Sequence, residues 1–255
     1  MNSIRWNRIK DKAFQVVGVA STLIGLILLA VFIGSILEDG LRRLDWDFLT
    51  SLPSRKAEKG GILTAWAGTL WIFVLTALIA IPLGVSAGIY LEEYGHKGKL
   101  DSLLEVNITN LAGVPSVIYG ILGLEIFART MKLGGSLLTG ALTLALLVLP
   151  IIIVATREAI KAVPDSIREA SYGMGATKWQ TIRYQVLPAA GGGIATGIIL
   201  ALSRAIGEAA PLIVVGALAY VPFTPTSPLD EFTVLPIQIF NWTSRPDPGF
   251  IVNAA

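Results

Sequence analysis

The sequence has no cysteine, so it can form no disulfide framework, thiolate metal site or cysteine nucleophile. It has one histidine, His96, set in a polar loop, where a lone imidazole reads as solvated surface. Together these scarcities remove most hydrolase and metalloenzyme chemistry. Charge is scarce as well: Asp, Glu, Lys and Arg make up 15% of the chain, against about 25% in an average soluble domain. The net charge of +2 gives no reason to expect a polyanion partner, and nucleic acid is excluded as one. No Gly-x-x-x-x-Gly-Lys-Ser/Thr phosphate loop occurs; Gly98-Lys99 has the wrong neighbours on both sides. The chain therefore does not bind ATP by that route.

What fills the space is apolar, at 53% of 255 residues. Five stretches, 13–37, 60–91, 106–124, 133–156 and 184–203, contain no charged residue, and a sixth, 209–229, follows a short charged interruption. About 20 apolar residues cross a bilayer as a helix. Runs of this length exclude an ordinary soluble domain and a disordered chain. They also disfavour a membrane β-barrel, whose strands alternate over about ten residues.

Five spans are predicted: Phe14–Leu37, Leu63–Tyr90, Leu103–Phe127, Ser136–Thr156 and Ala189–Tyr220. The first is too long for the core of a signal peptide, about 7–15 residues, and is read as a retained helix. Arg5, Arg8, Lys10 and Lys12 precede it, which places the N-terminus in the cytoplasm. Loops 92–102 and 157–188 then lie inside, and 38–61, 128–135 and the tail from 222 lie outside. Pro82 predicts a kink in the second span. The spacings Gly84/Gly88 and Gly193/Gly197 predict close helix packing. Residues 1–255 form one transmembrane domain, with 157–188 as a cytoplasmic loop within it.

Three charges lie within the apolar runs. Glu125 is near a helix end and reads as a boundary residue. Arg204 stands about 22 Å beyond Ala189 along a helix, near mid-membrane if that helix continues to Tyr220. A charge at that depth costs about 2.5–3.5 kcal/mol or more, so it faces protein or a wet cavity. Glu208 lies four residues on, where one helix face holds both. The pair is either an internal salt bridge that locks helices or the polar lining of a substrate path. Arginine suits an oxyanion because its planar fork makes two parallel hydrogen bonds. Ser203 adds a hydroxyl beside it. On the cytoplasmic side, 157–188 reads as a short helix capped near Val163-Pro164-Asp165-Ser166. A break at Gly173 and Gly175 and a second short helix to Leu187-Pro188 follow. Ala170, Tyr172, Met174 and Trp179 give it scattered apolar residues.

That segment resembles the coupling loop of binding-protein-dependent ABC importer permeases, whose pattern is Glu-Ala-Ala, three residues, Gly, nine residues, Ile, one residue, Leu-Pro. Here it reads Glu169-Ala170-Ser171, Gly175, Gln185 and Leu187-Pro188, with the spacing kept. Ser171 replaces the second alanine and Gln185 the isoleucine. Further segments are similar to the phosphate importers among these permeases. They are Gly60-Gly61-Ile62, Ala80-Ile81-Pro82-Leu83-Gly84, Tyr90-Leu91-Glu92-Glu93-Tyr94 and Gly113-Val114-Pro115-Ser116-Val117-Ile118-Tyr119-Gly120. Ser203-Arg204-Ala205-Ile206-Gly207-Glu208-Ala209-Ala210-Pro211-Leu212 resembles the fifth helix of the PstA type.

The resemblance implies an all-α, polytopic membrane bundle of the type I ABC importer class, with a sixth span beyond Ala255. It implies a non-enzymatic subunit of the bacterial cytoplasmic membrane that forms a phosphate path with a PstC-like sister permease. Arg204, Glu208 and Ser203 would line that path. Glu169, Ala170, Gly175, Leu187 and Pro188 would couple it to a homodimeric ATP-binding subunit, which holds the ATP and magnesium. An extracytoplasmic phosphate-binding protein would deliver the anion. Permeases for another oxyanion, such as phosphonate or molybdate, share these features. A secondary transporter or channel working alone is the rival from a different class.

Overall fold

The computed structural model describes residues 2–95, 98–217 and 220–255; His96 lies outside them. The described residues are helical apart from connecting turns and one isolated bridge, Ser136 to Glu231. The helices are α1 (Asn2–Gly40), α2 (Trp46–Thr50), α3 (Leu63–Ile89), α4 (Lys99–Ala112), α5 (Ser116–Gly123) and α6 (Leu137–Lys161). They continue with α7 (Asp165–Gly173), α8 (Lys178–Thr181), α9 (Leu187–Ile206), α10 (Ala210–Val214), α11 (Leu235–Thr243) and α12 (Gly249–Ala254).

Four helices are long and apolar enough to cross a membrane, or five if the bent pair around residues 113–115 is one span. α1 is apolar on every side, and the spanning part of it has no buried residue within this chain. A helix of that kind is stable only against lipid or another membrane protein.

α6 is the axis of the bundle. α3 and α9 pack along it, and Leu144, Val148 and Ile152 lie almost fully buried in the main core. Glycine sets the approach of both neighbours. A methyl group on Gly84 would stand 2.6 Å from Ile152 Cγ2, and one on Gly88 2.7 Å from Thr156 Cβ. On α9, Gly193 meets Ala159 and Gly197 meets Ala155. The two predicted glycine pairs thus do the same job against adjoining faces of one helix, and α3 and α9 touch each other as well. Pro82 sits inside an unbroken α3 and Pro150 inside α6.

Two predicted spans are not continuous helices. The third run breaks at Gly113-Val114-Pro115, and its halves meet at 103°. Pro115 lacks an N–H and drives Val114 out of the helical region. Its own backbone is extended, with ψ 135°, and opens α5. The fifth span does not reach Tyr220 either. α9 ends at Ile206, Gly207 caps it, and Pro211 near the start of α10 begins a new short helix. A single Ala189–Tyr220 helix does not form: Gly207 closes α9, and Pro211, which has no N–H to donate, stands where α10 begins. α10 then packs on α5, with Pro211 Cα 2.8 Å from where a methyl on Gly120 would sit.

The loops segregate to two ends, as alternating spans require. At one end the rings of Phe48 and Trp242 pack at a 34° tilt with centroids 5.9 Å apart, and Asn253 Nδ2 donates to the Ala57 carbonyl at 2.8 Å. This ties 38–61 to the tail. Leu137 and Leu138 donate to the carbonyls of Asp230 and Pro228, which ties the tail to the start of α6. In the same tail Asp230 accepts from the backbone N–H of Thr226 and of Ser227, each at 2.8 Å, and from the Thr226 hydroxyl at 3.3 Å. The two N–H groups hold its carboxyl below the usual carboxylate range. Because the folded value is the lower one, the stability it lends the turn is complete above the unfolded value of about 3.9. That stability disappears as pH falls through the folded value. Proteolysis of residues 220–234 is therefore expected to rise on acidification below about pH 4, and Asp230→Asn to abolish that pH step.

Candidate functional site

Arg204 occupies the last turn of α9, not the middle of a span as an uninterrupted helix would place it. A cation there complements the carbonyl end of the helix dipole. Glu208 lies beyond the helix, in the break, and its Oε1 accepts from Arg204 Nε at 3.3 Å. The pair is unequally covered: 46% of the arginine side chain is exposed and 18% of the glutamate. That bond is the only one the guanidinium makes among the described residues. Nη1 and Nη2 keep their donors. The pair is thus a salt bridge that also presents a fork, so the two sequence readings are not exclusive. Ser203 is exposed beside it.

The surroundings were not legible from spacing. Because α10 packs on α5, the two helix breaks, 113–115 and 207–209, come together within the bundle. Tyr119 of α5 is buried, and its hydroxyl donates to the Leu111 carbonyl at the end of α4 at 2.8 Å. Tyr119 stood in the sequence only as part of a family-like string. Discontinuous helices that meet beside a charged side chain are a recurrent way to line a polar path through a membrane. Glu125, read from the sequence as a boundary residue, is exposed and paired to Arg129 at 3.0 Å.

At the opposite end, α7 carries Glu169 and Ala170 on an exposed face. Gly173 does not interrupt it; the helix includes Gly173 and stops at Met174-Gly175. Gly175 has φ +83°, and Ala176 N–H reaches back to the Ser171 carbonyl. This is the left-handed closure that glycine makes at little cost. Pro164, with no side-chain cap, precedes α7, and Asp165 in the first turn pairs with Arg168 instead. Thr177 and Gln180 form a capping box that starts α8. The second helix is not separate, since α8 runs through a π-helical turn, Ile182–Val186, into α9. Leu187 is half-buried and Pro188 exposed at that junction. Ser171, where the family pattern has alanine, shares a hydrogen bond of 2.9 Å with Thr181 and so fastens α7 to α8. Tyr172, Met174 and Trp179 are exposed; Met174 is 89% so.

An all-helical membrane bundle with a protruding helix–glycine–helix segment is the form of a transporter's permease subunit. Residues 80–240 match the family described as binding-protein-dependent transport system inner membrane component, and the chain belongs to that family. It is 33% identical over 261 residues to the "Probable ABC transporter permease protein YqgI" of Bacillus subtilis, covering 96% of this chain and 88% of that one. It is 34% identical over 242 residues to the phosphate transport system permease protein PstA of Yersinia pestis, covering 94% and 81%. To PstA 1 of Mycobacterium tuberculosis it is 36% identical over 205 residues, covering 78% and 65%.

Proposed function

We propose that this chain is the membrane-spanning permease subunit of an ATP-driven phosphate importer. Similarity to PstA proteins across most of the chain supports the substrate. The observation that carries the site is Arg204, held at the meeting of two helix breaks with both terminal nitrogens unengaged.

In this reading the anion arrives from an extracytoplasmic binding protein and passes between this chain and a PstC-like sister. The N-terminus is cytoplasmic. Arg204 offers its fork to phosphate oxygens, while Glu208 holds the guanidinium at Nε and can accept a hydrogen bond from a protonated oxyanion. Ser203 supplies a hydroxyl. The chain makes and breaks no covalent bond; transport is a change of packing driven by differential contacts. ATP and magnesium belong to a homodimeric partner beneath. Glu169, Ala170 and the Gly175 turn seat in that partner, and Leu187-Pro188 passes its movement into α9.

Uptake of labelled phosphate by the reconstituted complex, in competition with phosphonate and molybdate, tests the substrate. Stronger competition by either would reassign it. A transporter working alone would not retain an ATPase on purification. Gly175→Ala is expected to cost about 1–2 kcal/mol of local stability, because an alanine at positive φ is strained. The weakened capture of the ATP-binding subunit is measured by co-purification.

A further inference from the structure

Arg168 makes more polar contacts than any other side chain in the described chain. Nε and Nη2 both donate to Glu93 Oε1, at 3.1 and 2.9 Å. Nη1 donates to the Val163 carbonyl at 2.8 Å and to Asp165 Oδ1 at 3.2 Å, and Nη2 to the Ile160 carbonyl at 3.1 Å. Only 15% of the arginine side chain and 7% of the glutamate are exposed. One guanidinium therefore joins three helices. It belongs to α7, it fills the open carbonyls at the C-terminus of α6, and it grips the π-helical turn Tyr90–Tyr94 that ends α3.

Two more contacts converge on that turn. Arg157 of α6 bridges Glu92 at 3.4 Å and Glu105 of α4 at 3.2 Å. Lys178, on the far side of the Gly175 turn, places Nζ 4.7 Å from the Tyr94 ring centroid. The chain connects α7 covalently to α6 and to α9. Its hold on α3 depends on side chains, with Arg168 at the centre. α3 runs from this turn along α6 to the opposite end of the bundle, where Thr69 Oγ1 accepts from Leu235 N–H at 3.0 Å.

We infer that Arg168 is a positioning residue that locks α7 to the cytoplasmic end of α3 through Glu93, so that movement imposed on α7 by the ATP-binding partner is delivered to α3 as well as to α9. This deepens the transport reading above and rests on it. The chemistry favours arginine, because a lysine has one nitrogen and cannot span two carbonyls and two carboxylates at once.

The test uses the whole complex in proteoliposomes. Spin labels are attached at Ser166→Cys on α7 and Ser86→Cys on α3; the chain's lack of cysteine leaves no background from this subunit. With Arg168 intact, the label distance is expected to stay the same with and without ATP. With Arg168→Gln it changes on adding ATP. Phosphate moved per ATP then falls about tenfold or more, while ATP hydrolysis and ATPase retention persist. Arg168→Lys recovers part of that ratio, and exchanging the charges with Arg168→Glu and Glu93→Arg recovers more than either single change. A label distance that shifts with ATP while Arg168 is present overturns the lock, even if Arg168→Gln fails to assemble. So does an Arg168→Gln complex with an unchanged transport ratio, or with hydrolysis and uptake lost in parallel. If the intact complex moves no phosphate, the transport reading falls and the lock with it. If it transports and the labels separate, the lock alone is wrong.

Discussion

Arg204→Gln is expected to lower phosphate uptake by about tenfold to a hundredfold, the loss of one or two charge-assisted hydrogen bonds at about 1.5–3 kcal/mol. Subunit assembly should be unchanged, because half of the side chain is exposed and only Glu208 depends on it. The measurement is initial uptake in vesicles, normalised to complex recovered by affinity purification. Glu208→Gln separates the two meanings of the pair. If the bond is a lock between elements, the variant loses assembly. If the carboxylate orients the fork, assembly survives and uptake falls. Arg204→Lys is expected to restore charge but little transport, since an ammonium cannot present two parallel donors. Uptake that survived Arg204→Gln would remove this side chain from the path.

The second large effect is mechanical. Gly197→Leu should prevent α9 from seating on α6, because even a first carbon at Gly197 collides with Ala155. Overpacking of a tight contact typically costs about 1–3 kcal/mol, and a leucine against a helix backbone lies at or beyond the upper end. A sharp drop in yield and in thermal stability of the detergent-solubilised subunit is expected. Gly192→Leu is the control. A carbon there meets nothing within 4 Å, so the subunit's own stability should hold. If the two variants behaved alike, packing against α6 would not be what Gly197 supplies. Arg204 stands seven residues beyond Gly197 on the same helix, so the close contact also sets where the guanidinium sits.

The sequence carried the large features. Charge-free runs located the spans, because a bilayer admits little else at that length. Gly84, Gly88, Gly193 and Gly197 announced close packing. The fixed spacing from Glu169 to Pro188 carried the resemblance to the importer permeases. Local rules failed where a proline's effect depended on its neighbours. Pro82 and Pro150 both lie within intact helices, although Pro150 is buried in the core and Pro82 is exposed. Pro115 and Pro211 break theirs, each within a few residues of a glycine, Gly113 and Gly207, that terminates the preceding helix. All four look alike in a hydropathy pattern.

Arg168 and Glu93 show the same limit. A pair of acids directly after a 32-residue uncharged run was a visible signal. Its partner lay 75 residues away, beyond any periodicity argument. Composition by itself determined that this chain lives in a membrane as helices, since the lipid interior leaves backbone groups no partner but each other. Only tertiary structure decided which helices break, that the two breaks meet beside Arg204, and which charges bind across the bundle. Those outcomes depend on contacts between residues distant in sequence, and no local pattern encodes them.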